Sequence, residues 1–180
     1  MIETERLTLR PWRDSDRAPF LALCRSPGVM ACLGGPSTDA QVDASLVRVH
    51  ASQERNGFCL WAVERRADHS FLGFCGLKVA DTPGTPIEDE IEIGWRFDQP
   101  HWGQGYAREA ALASLRWAWT NLTAPRVIAI TVPANRRSWG LMERIGMTRR
   151  PELDFGHPGF PENHPLHRHI TYVVDRPSAV

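Results

Sequence analysis

The sequence predicts an α/β (α+β) protein: a mixed, mostly antiparallel central sheet of six to seven strands, with one parallel pair, flanked by helices. Three observations carry this. Apolar β-rich runs at 58–63, 71–79 and 88–97 follow one another with only polar or Pro/Gly-rich turns between them, as consecutive antiparallel strands do. A helical stripe (Ala107, Ala111, Leu115, Ala118, Leu122) then separates the strand at 88–97 from a β-branched run at 127–132. A strand–helix–strand unit of this kind makes a right-handed crossover, so those two strands run parallel.

The elements follow in order. Residues 6–10 alternate as a strand that Pro11 ends. Asp14, Ser15 and Asp16 offer capping side chains to a short helix containing Phe20, Leu21 and Leu23. Pro27-Gly28 and Gly34-Gly35-Pro36 break the chain. Ser37, Thr38 and Asp39 cap a second helix over 39–55, with Val42, Leu46 and Val49 at helical spacing and Asn56-Gly57 closing it. The turn 65–69 makes a hairpin of the strands on either side. Pro125 ends the long helix. A short helix over 136–145 stops at Gly146, a strand begins at 147–150, a proline-bearing loop spans 151–165, and 169–174 is the last strand.

The bulk numbers set limits. A chain of 180 residues reads as a single domain, 1–180. Its 21 basic and 21 acidic residues cancel, and no basic tract stands out, which weighs against nucleic acid and anionic membrane as partners. No apolar run reaches membrane-spanning length, and the first residues lack the order of a secretory leader. Cys24, Cys32, Cys59 and Cys75 match no zinc spacing; read as reduced core residues, they fit a cytoplasmic protein without a metal.

The most informative stretch is 97–110. Gly103, Gly105 and Ala107 leave the backbone bare between a strand and a helix. Glycines allow positive φ and close approach, and a helix N-terminus presents free N–H groups at its positive end, which together suit a phosphate. The spacing is neither G-x-x-x-x-G-K-[ST] nor G-x-G-x-x-G, so neither a nucleoside triphosphate nor a dinucleotide is implied. The loop lies where the antiparallel run meets the parallel pair, at Phe97 and Val132. Ligands of open sheets collect at such points.

Five stretches carry a family likeness: ERLTLRPW at 5–12, EIGW at 92–95, WGQGYAREA at 102–110, NRRS at 135–138 and MERIGM at 142–147. Together they resemble the GNAT N-acetyltransferase superfamily, and within it the RimJ/RimL-type branch. Trp102 stands where the superfamily commonly has Gln or Arg, a substitution usual in this branch. The resemblance implies acetyl-CoA as co-substrate, with its pyrophosphate on the backbone of Gly103, Gln104, Gly105, Ala107 and Arg108, flanked by Trp102 and Tyr106. It also implies that the strand ending at Phe97 splays from 127–132. Pantetheine would then pair with freed backbone near Trp95 and Phe97. Asn135 and Ser138 would complete this cofactor site, and the resemblance leaves room for a homodimer.

Acetyl transfer to an amine needs a neutral amine, a donor for the developing oxyanion and a proton for the leaving thiolate. Ser138 matches a position near the CoA sulfur; it is equally a first-turn helix residue, with Asn135 as its N-cap. Glu92 is the candidate base, through water; alternatively it shares a strand face with Glu90 and meets solvent or Lys78. His157, His164, His167 and His169 match no zinc pattern and suit a proline-held surface loop. Glu162 or His164 could instead receive the amine, and Trp61 or Trp95 could wall its pocket. The expected activity is N-acetylation, by direct attack in a ternary complex, of a primary amine: a protein N-terminus or a small molecule. A catalytically silent acyl-CoA-binding domain is the alternative.

Overall fold

The computed structural model describes residues 1–178. The chain begins with two antiparallel strands, β1 (Ile2–Glu3) and β2 (Leu7–Arg10). A 3-10 turn (Asp14–Asp16) leads into α1 (Arg17–Arg25), α2 (Pro27–Met30) and α3 (Asp39–Asn56). Strands β3 (Leu60–Arg65), β4 (Phe71–Val79) and β5 (Ile91–Phe97) form the meander. Then come α4 (Tyr106–Asn121), β6 (Arg126–Thr131), α5 (Arg136–Arg144), and strands β7 (Thr148–Arg149), β8 (Phe155–Gly156) and β9 (Arg168–Asp175).

The local signals act as expected in most places. Thr38 accepts from the Gln41 N–H in a capping box at the start of α3, and Gly57 closes that helix in the left-handed region at φ 77°. Pro27 starts a one-turn helix instead of only breaking the chain, since proline suits a first helical position. The helix over 17–25 is not side-chain capped by the acidic cluster before it. Asp16 is buried and its carboxylate is committed elsewhere, as described below. The two-residue strands β1 and β8 carry no alternation long enough to read, and with them the strands among the described residues number nine.

The sheet order is β1-β2-β3-β4-β5-β6-β9-β7, with β8 on β9. Every pairing is antiparallel except β5 with β6. β5 registers with β4 from Ile91 to Phe97, and β6 registers with β9 from Arg126 to Thr131. Between β5 and β6 the register holds at a single pair, Glu92 with Ile128. Beyond it the strands part, so the sheet forks toward the ends at Phe97 and Thr131. The expected parallel pair and its splay are both present.

The faces divide cleanly. Trp61, Cys75 and Trp95 are in register and share the face covered by α4. There Ala110, Ala111 and Ala118 are fully buried and let the helix lie close, and the Cys75 thiol meets the Ser114 hydroxyl at 3.7 Å. Phe74, Gly76, Lys78, Glu92, Gly94 and Arg96 take the opposite face. Over it, Phe20 of α1 packs edge-on against Phe74 and Trp12, while Ala80, Ile87, Ile128 and Val173 form a smaller apolar cluster further along. Burial pushes the thiols of Cys59 and Cys75 up to about 12, so they act as small apolar groups; Cys32 is only half-buried. Among the described residues no helix is long and apolar enough to cross a membrane.

One polar cluster is built into this face. Arg10 is 4 % exposed and donates two bonds to the Asp16 carboxylate, at 2.7 and 2.8 Å, and one from Nε to Glu64 at 2.7 Å. The triad ties β2 to β3 and to the start of α1. Removing the cation strands two buried carboxylates, which costs about 3–5 kcal/mol. Arg10→Met should therefore lower the melting temperature by roughly 6–20 °C. An unchanged melting curve would mean that Arg13 and His69, the other partners of this cluster, suffice.

Candidate active site

The loop after β5 is held from three sides. Asp98 accepts from the Gln99 N–H at 2.8 Å and starts a 3-10 turn (Gln99–His101). The Trp102 indole N–H donates to the Phe97 carbonyl at 2.8 Å, capping the end of β5. Gly103 and Gly105 lie in the left-handed region, at φ 74° and 83°. Gly105 is the N-cap of α4 and supplies no side-chain acceptor, so the first N–H groups of the helix face outward unclaimed by a cap. Arg6 braces the loop from beneath. It donates to the Gln104 carbonyl at 3.0 Å, pairs with Glu109 at 2.7 Å and lies 4.6 Å over the Tyr106 ring. A Cβ on Gly105 would approach the Arg6 guanidinium at 3.3 Å. Gly103, Gln104, Gly105 and Arg108 are exposed, Ala107 is half-buried and Tyr106 is buried as an anchor.

Across the fork, Asn135 caps α5 by accepting from the Ser138 N–H at 3.4 Å. Ser138 is half-buried at the first turn. Its neighbour Arg137 stacks 4.7 Å over Trp102, so the start of α5 and the glycine loop touch across the open end of the fork. The arrangement gathers Trp102–Arg108, Asn135 and Ser138 around one opening, with the backbone of Trp95 and Phe97 along its edge. The Arg6–Glu109 brace and the Arg137–Trp102 stack join residues of separate motif stretches, 5–12, 102–110 and 135–138, whose contact no spacing within the chain reveals.

Glu92 sits at the vertex of the fork. It is 7 % exposed, its Oε2 lies 3.3 Å from Lys78 Nζ, and that buried oxygen has no hydrogen-bond partner. Lys78 also reaches Asp81 at 2.8 Å. Burial raises the Glu92 carboxyl above its ordinary range, and the Lys78 ammonium offsets only part of this. Burial works the other way on Lys78, but its two carboxylates outweigh it and hold the ammonium charged. Glu90 is not a second solvent-facing carboxylate: it pairs with Arg126.

The remaining candidates lie apart. Trp61 is 3 % exposed on the α4 face, edge-on to Trp117 at 5.1 Å, with its indole N–H on Gln53. It is a core residue and lines no opening on the Glu92 face; Trp95 is on that same α4 face. Glu162 and His164 are exposed in the loop between β8 and β9, where the His164 ring stacks on Phe160 at 4.8 Å. His157 and His169 are nearer the vertex, 4.9 Å apart. Burial lowers the pKa of both, and the Lys78 charge adds to this at His157. Among the described residues no three His, Cys, Asp or Glu side chains group to hold a metal ion.

A forked sheet with a glycine loop and helix N-terminus at its open end defines a class of acyl-carrier-binding transferase, and sequence comparison names it. Residues 6–148 match the family model of the acetyltransferase (GNAT) domain. The chain belongs to the GNAT acetyltransferase family and is an acyltransferase; the family uses acetyl-CoA as donor. It is 31 % identical to the uncharacterised protein YkkB of Bacillus subtilis over 147 residues, covering 81 % of this chain and 84 % of that one. It is 30 % identical over 153 residues to FsC-acetyl coenzyme A-N(2)-transacetylase of Aspergillus fumigatus, covering 82 % of this chain and 64 % of that longer protein. An acetyltransferase of Agrobacterium tumefaciens superposes with a TM-score of 0.79 at 28 % identity, covering 96 % of this chain and 92 % of that one. RimL, a ribosomal L7/L12 α-N-protein acetyltransferase solved with coenzyme A, shares the fold at a TM-score of 0.75 and 14 % identity, over 96 % and 95 % of the two chains.

The environment of Glu92 has a consequence for stability. Its carboxyl is harder to ionise folded than unfolded, so the folded state holds a proton that the unfolded state releases. That contribution is present at low pH and is lost as pH rises from the unfolded carboxylate value through the raised folded one. Glu92→Gln removes the titration. Its melting temperature relative to wild type should be higher at pH 8 than at pH 4, measured by calorimetry at both. A constant offset would mean that Lys78 fully compensates the buried charge.

Proposed function

We propose that the chain, acting as one domain over 1–180, is a cytoplasmic acetyl-CoA-dependent N-acetyltransferase of the RimJ/RimL-type branch. It moves an acetyl group to a primary amine by direct attack in a ternary complex. The observation that carries this is the fork itself: two strands fully paired on their outer edges face each other across a gap, with unclaimed helix N–H groups at its mouth. Free strand-edge groups and free helix N–H groups suit the two halves of coenzyme A, an amide-bearing arm and a pyrophosphate. Bound acetyl-CoA supplies an activated acyl carbon.

This chain's residues do the rest. Gly103, Gln104, Gly105, Ala107 and Arg108 present backbone to the pyrophosphate, with Trp102 and Tyr106 fixing the loop. Trp95 and Phe97 offer the strand edge. Asn135 holds the first turn of α5, so that the Ser138 hydroxyl is free to donate a proton to the departing thiolate. Glu92, through water, takes the proton of the amine; its raised pKa brings it nearer neutrality, where a general base works best. The acceptor is a protein N-terminal α-amine or a small amine, with Glu162 and His164 at its entrance. A silent acyl-CoA-binding domain is the weaker reading, because such a domain would have no need of the Asn135/Ser138 pair at the mouth of the fork, and both are present.

Acetyl-CoA at about a hundredfold its Kd should stabilise the protein by roughly 2.7 kcal/mol, while NAD and ATP leave the melting temperature unchanged. No shift at millimolar acetyl-CoA would end the acetyltransferase reading. Ser138→Ala should lower kcat by roughly tenfold or more with the KM for acetyl-CoA little changed. An unchanged rate, with chemistry shown to be rate-limiting, would remove Ser138 from proton transfer.

A further inference from the structure

Residues alternate along β5, so Glu92, Gly94 and Arg96 share the face turned away from α4. Gly94 is in register with Gly76, and the side chain of Leu60, paired with Gly76 on β3, lies over the floor between the two charged residues, its Cδ2 against Gly94. Helices α1 and α3 cover this face on one side, and the apolar cluster around Ile87 and Ile128 covers it on the other. Beside Arg96 the cover opens into a pocket of about 380 Å³, walled by Met30 and Leu33 on one side and by Val42, Ser45 and Arg48 of α3 on the other.

The pocket is cationic: among the described residues no Asp or Glu lines it, although Asp81 lies within Coulombic reach of Arg48. Arg96 is half-buried over the Phe74 ring at 5.3 Å, and its Nη1 donates only to the Cys24 thiol at 3.2 Å. Burial holds that thiol protonated, so it brings no charge. Arg96 Nε is buried with no partner at all. Arg48 donates to Ser45 at 2.9 Å and forms no ion pair among the described residues. A guanidinium with open donors in a recess fits a planar carboxylate, which it binds by two parallel hydrogen bonds.

We propose that Arg96, with Arg48 facing it, is the anion-binding end of the acceptor cleft, so that the preferred acceptors are primary amines carrying a carboxylate. The inference rests on the acetyltransferase reading and names its substrate class. Glu92 and Arg96 are four residues apart, about 13 Å between Cα atoms, and both side chains project from the same face of β5, with the apolar Leu60 side chain between them. The amine of an amino acid or short peptide then reaches the vertex while its carboxylate meets Arg96, and Met30, Leu33 and Val42 receive an aliphatic side chain. The α3 wall connects the two ends: Arg48 lies near enough to Asp81, the partner of Lys78, to favour its ionised form. A polyamine would instead place a second cation beside two unpaired guanidinium groups.

The test is a CoA-release assay over matched acceptors: amino acids, their carboxamides, the corresponding decarboxylated amines, and spermidine. Acetyl-CoA binding is measured by calorimetry on the same preparations. The carboxylate members should exceed their amides in kcat/KM by roughly tenfold or more. Arg96→Gln should erase that preference by raising the acceptor KM, with the KM for acetyl-CoA unchanged. Arg96→Lys should keep part of the preference, and Arg48→Gln, on an exposed position of α3, should weaken it. If Arg96→Gln does not fold, the wild-type panel and Arg48→Gln decide. Amides or spermidine matching the carboxylates, or no carboxylate turning over while acetyl-CoA binds, overturns the inference alone. Loss of acetyl-CoA binding overturns the acetyltransferase reading beneath it.

Discussion

The structure depends on a parallel strand pair that is allowed to meet only once. β5 spends one edge on β4 along its whole length, and β6 spends one edge on β9 along its whole length. Their facing edges touch at Glu92 and Ile128 and then diverge. Buried backbone N–H and C=O groups need partners, so an open edge in the middle of a sheet is a demand as well as a gap. In the acetyltransferase reading proposed above, the amide-bearing arm of coenzyme A would answer that demand, with its phosphates toward the glycine loop and α4.

Electrostatics separates scaffold from site. Arg10, Asp16 and Glu64 satisfy one another in the core, and Arg6 with Glu109 braces the loop from outside its opening. These charges are paired because their work is to hold strands and loop in place. Along β5 the pattern is the opposite. Glu92 keeps an oxygen without a hydrogen bond, and Arg96 keeps a buried nitrogen without one. Glu92 still has the Lys78 ammonium beside it, whereas Arg96 opens onto a recess and has no carboxylate partner among the described residues.

Much of this was legible beforehand because it is local. Hydrophobic alternation gave the meander, the Thr38 and Gly57 signals gave both ends of α3, and Gly103 and Gly105 gave the loop. The misreadings share one cause. Asp16 caps the 3-10 turn before α1 rather than α1 itself, and a buried arginine from β2 shares its carboxylate; Trp61 looks like a pocket wall, yet its strand parity sends it under α4. In both, a residue's own neighbourhood in the chain suggests one partner, and a strand distant in sequence supplies another.

The sequence by itself determined the family, the order of elements and the glycine loop before α4, since these rest on short-range backbone preferences and contiguous motifs. Only the tertiary structure decided which residues share a face of β5. Side-chain parity along a strand becomes meaningful once the covering layers are known. That is why Glu92 emerged at the vertex of the fork, and why Arg96, silent in the sequence, emerged as an unpaired cation beside it.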